Sequence, residues 1–198
     1  MRGVDKPTSS ASGAWLAAGV LGLALTCRAA LAEPFPLDRL EEGGYLVMLR
    51  HASAPGVGDP ENFRLGDCAT QRNLSDAGRA EARRLGERLR EEGVSSAEIY
   101  SSQWCRCLET AALLDLGPVE PLPALNSFFA RPADRAPKLD ALRRFLADLP
   151  ADGPPVILVT HQVAISAITG RSAASGEAVV LALDGTGTPP VVGTIEPQ

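Results

Sequence analysis

The sequence predicts an α/β fold of three layers, with a mostly parallel central sheet and helices on both faces. Three observations carry that expectation. Two continuous apolar runs, Tyr45 to Arg50 and Val156 to Thr160, have the character of strands covered on both faces. Helix-like and strand-like segments alternate through most of the chain. Both histidines of the chain, His51 and His161, stand where those two apolar runs end.

The chain has 198 residues, with 45% hydrophobic and 22% charged residues, as expected of one globular domain with a sizeable core. Its formal net charge of −5 supplies no basic field for nucleic acid. Residues 1–32 read as a secretory signal peptide. Arg2 and Lys6 form a positive start, and Trp15 to Cys27 is an apolar stretch shorter than the about 20 residues of a membrane span. Ala30-Leu31-Ala32 is an A-x-A cleavage pattern, so the mature domain is expected over 33–198, in the periplasm or outside the cell, with no stable span after cleavage. An uncleaved anchor is the alternative, and its apolar length is short for that role. Lipid attachment at Cys27 is disfavoured by Leu25-Thr26 before it.

Export favours a disulfide. Cys105 and Cys107 lie two apart on one expected helix and point to different sides, so Cys68 is expected to pair with Cys105 or Cys107. Three buried thiols are the alternative. The spacing does not suit zinc, and no histidine lies nearby in sequence.

Residues 33–44 read as a polar lead-in with prolines, and a Gly/Pro/Asp-rich loop runs from Ala54 to about Asn73. Ser75 is placed to cap a helix whose apolar positions Ala82, Leu85 and Leu89 recur at spacings of three and four, ending at Gly93. A strand near Ala97 to Tyr100, a helix over Trp104 to Leu114 and a short strand over Val119 to Leu122 follow. Pro137 to Leu149 carries Leu139, Leu142, Phe145, Leu146 and Leu149 on one helical stripe, stopped by Pro154-Pro155. After the second apolar strand a helix spans Val163 to Thr169, closed by Gly170. Glu177 to Leu183 and Val191 to Ile195 read as two strands joined by a Gly/Pro turn.

Ligands of open α/β sheets bind beyond the carboxyl ends of the strands. Two central parallel strands would set His51 and His161 side by side there, with Arg50 beside the first. Arg106 lies in the first turns of a helix that follows another strand, near free backbone amides and the positive helix end. Arg50 and Arg106 offer planar forks suited to phosphate oxygens. Taken singly, each histidine could be a structural residue and Arg106 a surface ion pair. Together they favour an anion site.

These residues resemble the histidine phosphatase superfamily, also called phosphoglycerate mutase-like. Arg50-His51-Ala52 stands for its Arg-His-Gly signature. Ser102, Arg106, Thr110 and Ala111 match its Ser, Arg and Thr-Ala pattern. Val159-Thr160-His161 matches its second histidine, and Asn73-Leu74-Ser75-Asp76-Ala77-Gly78 its Leu-Ser/Thr-x-x-Gly helix start. The likeness covers about residues 45–170. It implies a metal-independent phosphatase without cofactor, in which His51 becomes a phosphohistidine while Arg50, Arg106 and His161 hold the phosphoryl oxygens. Ser53, Arg72, Asn126 and Gln162 are the further candidates for substrate contact. The substrate expected is a phosphorylated small molecule, envelope component or phosphoprotein.

The chain departs from the family pattern in two ways. Ala52 replaces glycine, which matters if the backbone there needs positive φ or close approach. Asn126 stands where one branch has an acidic glutamate, and Gln162 where another has an aspartate after the second histidine. Neither amide can act as a proton donor of that kind. The general acid is therefore expected either among Asp59, Glu61 and Asp67, or not at all, if the leaving group departs easily. A non-catalytic phosphate-binding module on the same fold is the rival reading.

Overall fold

The computed structural model describes residues 1–3 and 33–198. The expected signal peptide thus falls almost wholly outside the described residues. Residues 33–198 cluster within one compact unit. Among the described residues no helix is long and apolar enough to cross a membrane.

Six strands form one sheet: β1 (Tyr45–Arg50), β2 (Glu98–Ser101), β3 (Val119–Pro121), β4 (Val156–Thr160), β5 (Ala178–Ala182) and β6 (Val191–Ile195). Their order is β3-β2-β4-β1-β5-β6. The four strands β3, β2, β4 and β1 run parallel, while β5 pairs antiparallel with both β1 and β6. Four helices complete the layers: α1 (Asp76–Glu91), α2 (Cys105–Leu114), α3 (Arg135–Asp148) and α4 (Gln162–Thr169). The boundaries lie within a residue or two of those expected from the periodicity.

Alternation along the central strands divides the core in two. Val47, Leu49, Ile157 and Val159 face Leu85 and Leu89 of α1 and Ala111 and Leu114 of α2. Leu46, Met48, Val156 and Leu158 face Leu142 and Leu146 of α3 and Ile165 of α4. Leu142 and Leu146 are fully buried, and each such side chain contributes about 2 kcal/mol of apolar transfer free energy. The stretch 33–44 is not the polar lead-in its composition suggested. Phe35, Leu37 and Leu40 are buried in the first of these clusters, and Leu37–Glu42 forms a 3-10 helix. Three apolar residues among prolines and charges gave no periodic signal, yet suffice to seat the segment.

Two glycines of α1 explain its close packing. A Cβ at Gly86 would lie 2.1 Å from the carbonyl oxygen of Leu114, so α1 and α2 could not approach as they do. A Cβ at Gly78 would lie 2.1 Å from the carbonyl oxygen of Ser53. The Ser75 amide donates to that same carbonyl, and the Ser75 hydroxyl accepts from the Gly78 amide. The Leu-Ser-x-x-Gly start therefore seats α1 on the backbone just beyond His51.

Cys68 and Cys105 form the disulfide, with a Cα–Cα distance of 5.7 Å, and Cys107 is a buried free thiol. The bridge joins the 3-10 turn Cys68–Thr70 to the first residue of α2. It spans a sequence separation of 37 residues, for which chain entropy alone gives about 4 kcal/mol. Reduction, or Cys105→Ser, is expected to lower the melting temperature by roughly 10 °C, measured by calorimetry with and without reductant. An unchanged transition would show that the bridge is not formed or not stabilising.

Candidate active site

Strand register sets the site. Arg50 pairs with Thr160 across β1 and β4, and the His51 amide donates to the Thr160 carbonyl at 3.0 Å. The next residue of each strand is a histidine, so the two imidazoles emerge at one level. Their ring centroids are 5.5 Å apart at an interplanar angle of 70°. Both rings are buried.

The His51 ring is held by Nδ1, which lies 2.8 Å from the Ala52 carbonyl oxygen and must donate to it. Nε2 has no partner among the described residues and keeps its lone pair. Burial, reinforced by the positive charges of Arg106, Arg72 and Arg50, pulls the His51 pKa down to about 3, against the raising effect of the Ala52 hydrogen bond. His161 is likewise held well below the usual imidazole value, by burial first and then by Arg106 and His51. Its Nε2 lies 2.9 Å from the Ser102 hydroxyl, which in turn sits 3.2 Å from Asn126 Oδ1. Nδ1 is thus the ring nitrogen left without a protein partner.

Both rings are therefore neutral at ordinary pH. A histidine in the unfolded chain protonates near 6.5, so folding stability is fully present above that value. It falls as pH drops below that value, by up to about 1.4 kcal/mol per pH unit for each ring, and for His51 down to about 3. With only two histidines in the chain, nitrogen NMR shifts are expected to show neither ring titrating between pH 5 and 8. A midpoint near 6.5 for either would contradict this burial.

Arg50 and Arg106 flank the pair. Arg50 donates from one terminal nitrogen to the Ala173 carbonyl at 2.9 Å. Arg106 grips Asp59 with both terminal nitrogens, at 2.7 and 3.1 Å. The Nε atoms of these two arginines are the buried side-chain polar atoms that lack any partner among the described residues. Native proteins seldom leave such donors unpaired, and both arginines line one cavity, which marks it as a seat for an anion. Arg72 also lines the cavity. It ties the preceding loop by donating to the carbonyls of Gly58, at 2.8 Å, and Ala54.

The cavity around these groups holds about 740 Å³. It includes Arg50, His51, Arg72, Arg106, His161 and Gln162 of the residues expected from sequence, together with Asp59 and Glu61. Four expectations need correction. Ser53 does not line the cavity: its amide donates to Glu81 and its carbonyl receives Ser75, so it seats α1 instead. Asn126 does not reach it either; it positions His161 through Ser102 and binds the Gln103 amide at 2.8 Å. Asp67 stands outside, paired with Arg64 at 3.0 Å and capping the Cys68–Thr70 turn. Asp59 lines the cavity but cannot serve as proton donor. Burial raises its pKa, yet Arg106, the Arg72 amide and the Trp104 indole hold it below the usual carboxylate value, ionised and fully hydrogen-bonded. The Gln162 amide is turned to Ser166, Ser172 and the Ala173 amide.

Sequence reasoning missed Trp104 and Gln71. The Trp104 indole donates to Asp59 at 3.0 Å and packs edge-on against His161, 5.3 Å between centroids. Gln71 caps α2 by accepting from the Cys105 amide. Ala52 costs no backbone strain, since it is not among the positive-φ residues, and its methyl packs with Ala54, Leu74 and Ala82. Its amide donates to Thr110, whose hydroxyl binds the Arg106 carbonyl, which accounts for the Thr in the Ser-Arg-Thr-Ala pattern.

Paired neutral imidazoles backed by unpaired arginine nitrogens, at the carboxyl end of a parallel sheet, define a phosphoryl-transfer type of site. The family model described as histidine phosphatase superfamily (branch 1) matches residues 46–130. That segment is less than half of the chain and carries the first histidine; the second, His161, lies beyond it, so the chain resembles the histidine phosphatase superfamily in this segment and in its fold. Among solved structures it resembles the protein histidine phosphatase SixA complexed with tungstate, at 15% identity and a TM-score of 0.56, over 77% of this chain and 96% of that one. The protein assigned as phosphohistidine phosphatase SixA of Nakamurella multipartitia matches at 21% identity, TM-score 0.56, over 77% and 95%. A mycobacterial glucosyl-3-phosphoglycerate phosphatase matches at 19% identity, TM-score 0.50, over 69% and 89%. No curated protein matches the sequence significantly.

Proposed function

We propose that the protein is a phosphatase that hydrolyses a phosphorylated substrate through a phosphohistidine on His51. The observation that carries this reading is the free, unprotonated Nε2 of His51 in one cavity with the buried Arg106 and the half-buried Arg50, whose Nε atoms are buried and unpaired. Nε2 attacks phosphorus and the bond to the leaving group breaks, with the electron pair going to that group. Arg50 and Arg106 neutralise the three oxygens as charge spreads over them. The Ser102 hydroxyl donates to Asn126 Oδ1 and accepts from Nε2 of His161, so Nδ1 of this ring holds a phosphoryl oxygen once it has taken the proton of an incoming phosphate monoanion. Water then attacks the phosphohistidine, releases phosphate and restores the neutral ring.

Asp59 and Asp67 are engaged elsewhere, and Glu61 sits at the cavity wall as the remaining carboxyl candidate. A leaving group that departs without a strong acid suits this arrangement, as in phosphohistidine, acyl phosphates or anhydrides. The likeness to SixA supports a phosphorylated protein or small molecule of that kind. The N-terminal pattern and the disulfide support action in the periplasm or outside the cell, with a mature chain beginning at Glu33.

Rapid quenching during turnover of acetyl phosphate is expected to trap base-stable, acid-labile phosphate that maps to His51. Tight binding of inorganic phosphate with no label and no hydrolysis would instead establish a non-catalytic phosphate-binding module.

A further inference from the structure

The phosphoryl group occupies only a small part of a cavity whose volume of about 740 Å³ is typical of pockets for whole organic ligands. What lines the rest is mostly apolar. Phe63 stacks on Trp104, with centroids 4.9 Å apart at 22°, and Trp104 meets the edge of His161. An aromatic wall thus runs outward from the second histidine. Val57, Leu65 and Phe129 line the same cavity and are exposed by 88%, 46% and 60%. Among the described residues the other large apolar side chains so exposed are Met1 and Val192. Exposed apolar groups gathered at one cavity mark a binding surface.

The polar groups beyond the phosphate seat are already engaged. Gln162 binds Ser166, Ser172 and Ala173, the Ser127 hydroxyl accepts from the Phe129 amide, and Arg131 pairs with Asp134. Besides Glu61, whose carboxylate does not attract a phosphorylated polyol, the Ser127 hydroxyl proton and the exposed end of Arg131 are the side-chain polar groups left for a ligand among the described residues. A sugar in this space would lose water from more hydroxyls than these few groups replace.

Resting on the phosphatase reading above, the geometry points to an aryl phosphate as the substrate class, its aromatic leaving group lying along Phe63 and Trp104 beneath Val57, Leu65 and Phe129. The chemistry fits the walls. The P–O bond to the aryl group breaks as His51 Nε2 bonds to phosphorus, and the aryl oxide leaves with the electron pair. An aryl oxide needs no strong acid for departure and takes its proton from water; the hydroxide equivalent of that water then ends on phosphorus when phosphate is released.

The test compares 2-naphthyl with phenyl phosphate, whose leaving groups are of similar basicity, and hexyl with glycerol phosphate. The wild-type kcat/KM is expected to be about tenfold or more higher for naphthyl than for phenyl, and higher for hexyl than for glycerol phosphate. Phe129→Ser is expected to lower the naphthyl-to-phenyl ratio at least about threefold, while Val192→Ser, outside the cavity, leaves that ratio unchanged. A phosphotyrosine peptide measured beside them separates a free aryl phosphate from one carried on protein. A naphthyl-to-phenyl ratio at or below one, with labelled His51 still trapped, overturns this inference and spares the phosphatase. If His51 is never labelled, the phosphatase reading falls instead. Titration of 2-naphthyl phosphate and inorganic phosphate into the His51→Ala protein then decides the apolar seat by itself, and equal affinities would reject it.

Discussion

His51→Ala is expected to reduce kcat for acetyl phosphate by at least about four orders of magnitude, because the covalent route disappears with its nucleophile. The affinity for inorganic phosphate should change far less, since Arg50, Arg106 and His161 remain. His161→Ala, which removes a stabilising donor and not the attacking atom, is expected to cost about 10²- to 10³-fold. Single-turnover kinetics on the two variants separate these effects. A His51→Ala protein within tenfold of wild type would place the nucleophile elsewhere.

The second large effect concerns the Arg106–Asp59 pair. Its side chains are 4% and 16% exposed and meet at 2.7 Å, well inside the protein. Arg106→Ala leaves a carboxylate facing the Trp104 indole and the Arg72 amide without its counter-charge. A loss of about 3–5 kcal/mol in unfolding free energy is expected, together with a fall in kcat/KM of about 10²- to 10³-fold. Removing Asp59 as well should restore part of the stability and little of the activity. Urea denaturation of the two single variants and the double variant provides the cycle. Strict additivity of the two losses would show that the charges do not sense one another.

How far the site was legible follows from where its contacts lie in the chain. The two histidines were readable because each ends an unbroken apolar run, and strand direction alone then sends them to one edge. Ser75 and Gly78 were readable as a helix start because capping is local. Asp59 was misassigned because its partner lies 47 positions away, and a sequence gives no sign that a loop carboxylate will meet a guanidinium. Trp104 and Gln71 were missed for the same reason. Asn126 was placed at the substrate when its amide actually orients Ser102 and through it His161, a difference of one residue in a contact chain. The cysteine pairing was narrowed by helix geometry, and the fold chose Cys105 over Cys107.

The pairing of β1 with β4 has a consequence for how the molecule comes into being. Leu46 is matched to Val156, and β4 lies between β1 and β2, two strands made far earlier in synthesis. Until residues 156–160 emerge, those two have bare edges facing an empty slot. So distant a partnership slows acquisition of the native state and leaves sticky strand margins in the meantime. A chain truncated before Val156 would therefore be a candidate for aggregation and not a smaller enzyme, and catalytic competence arrives only with about the last fifth of the polypeptide.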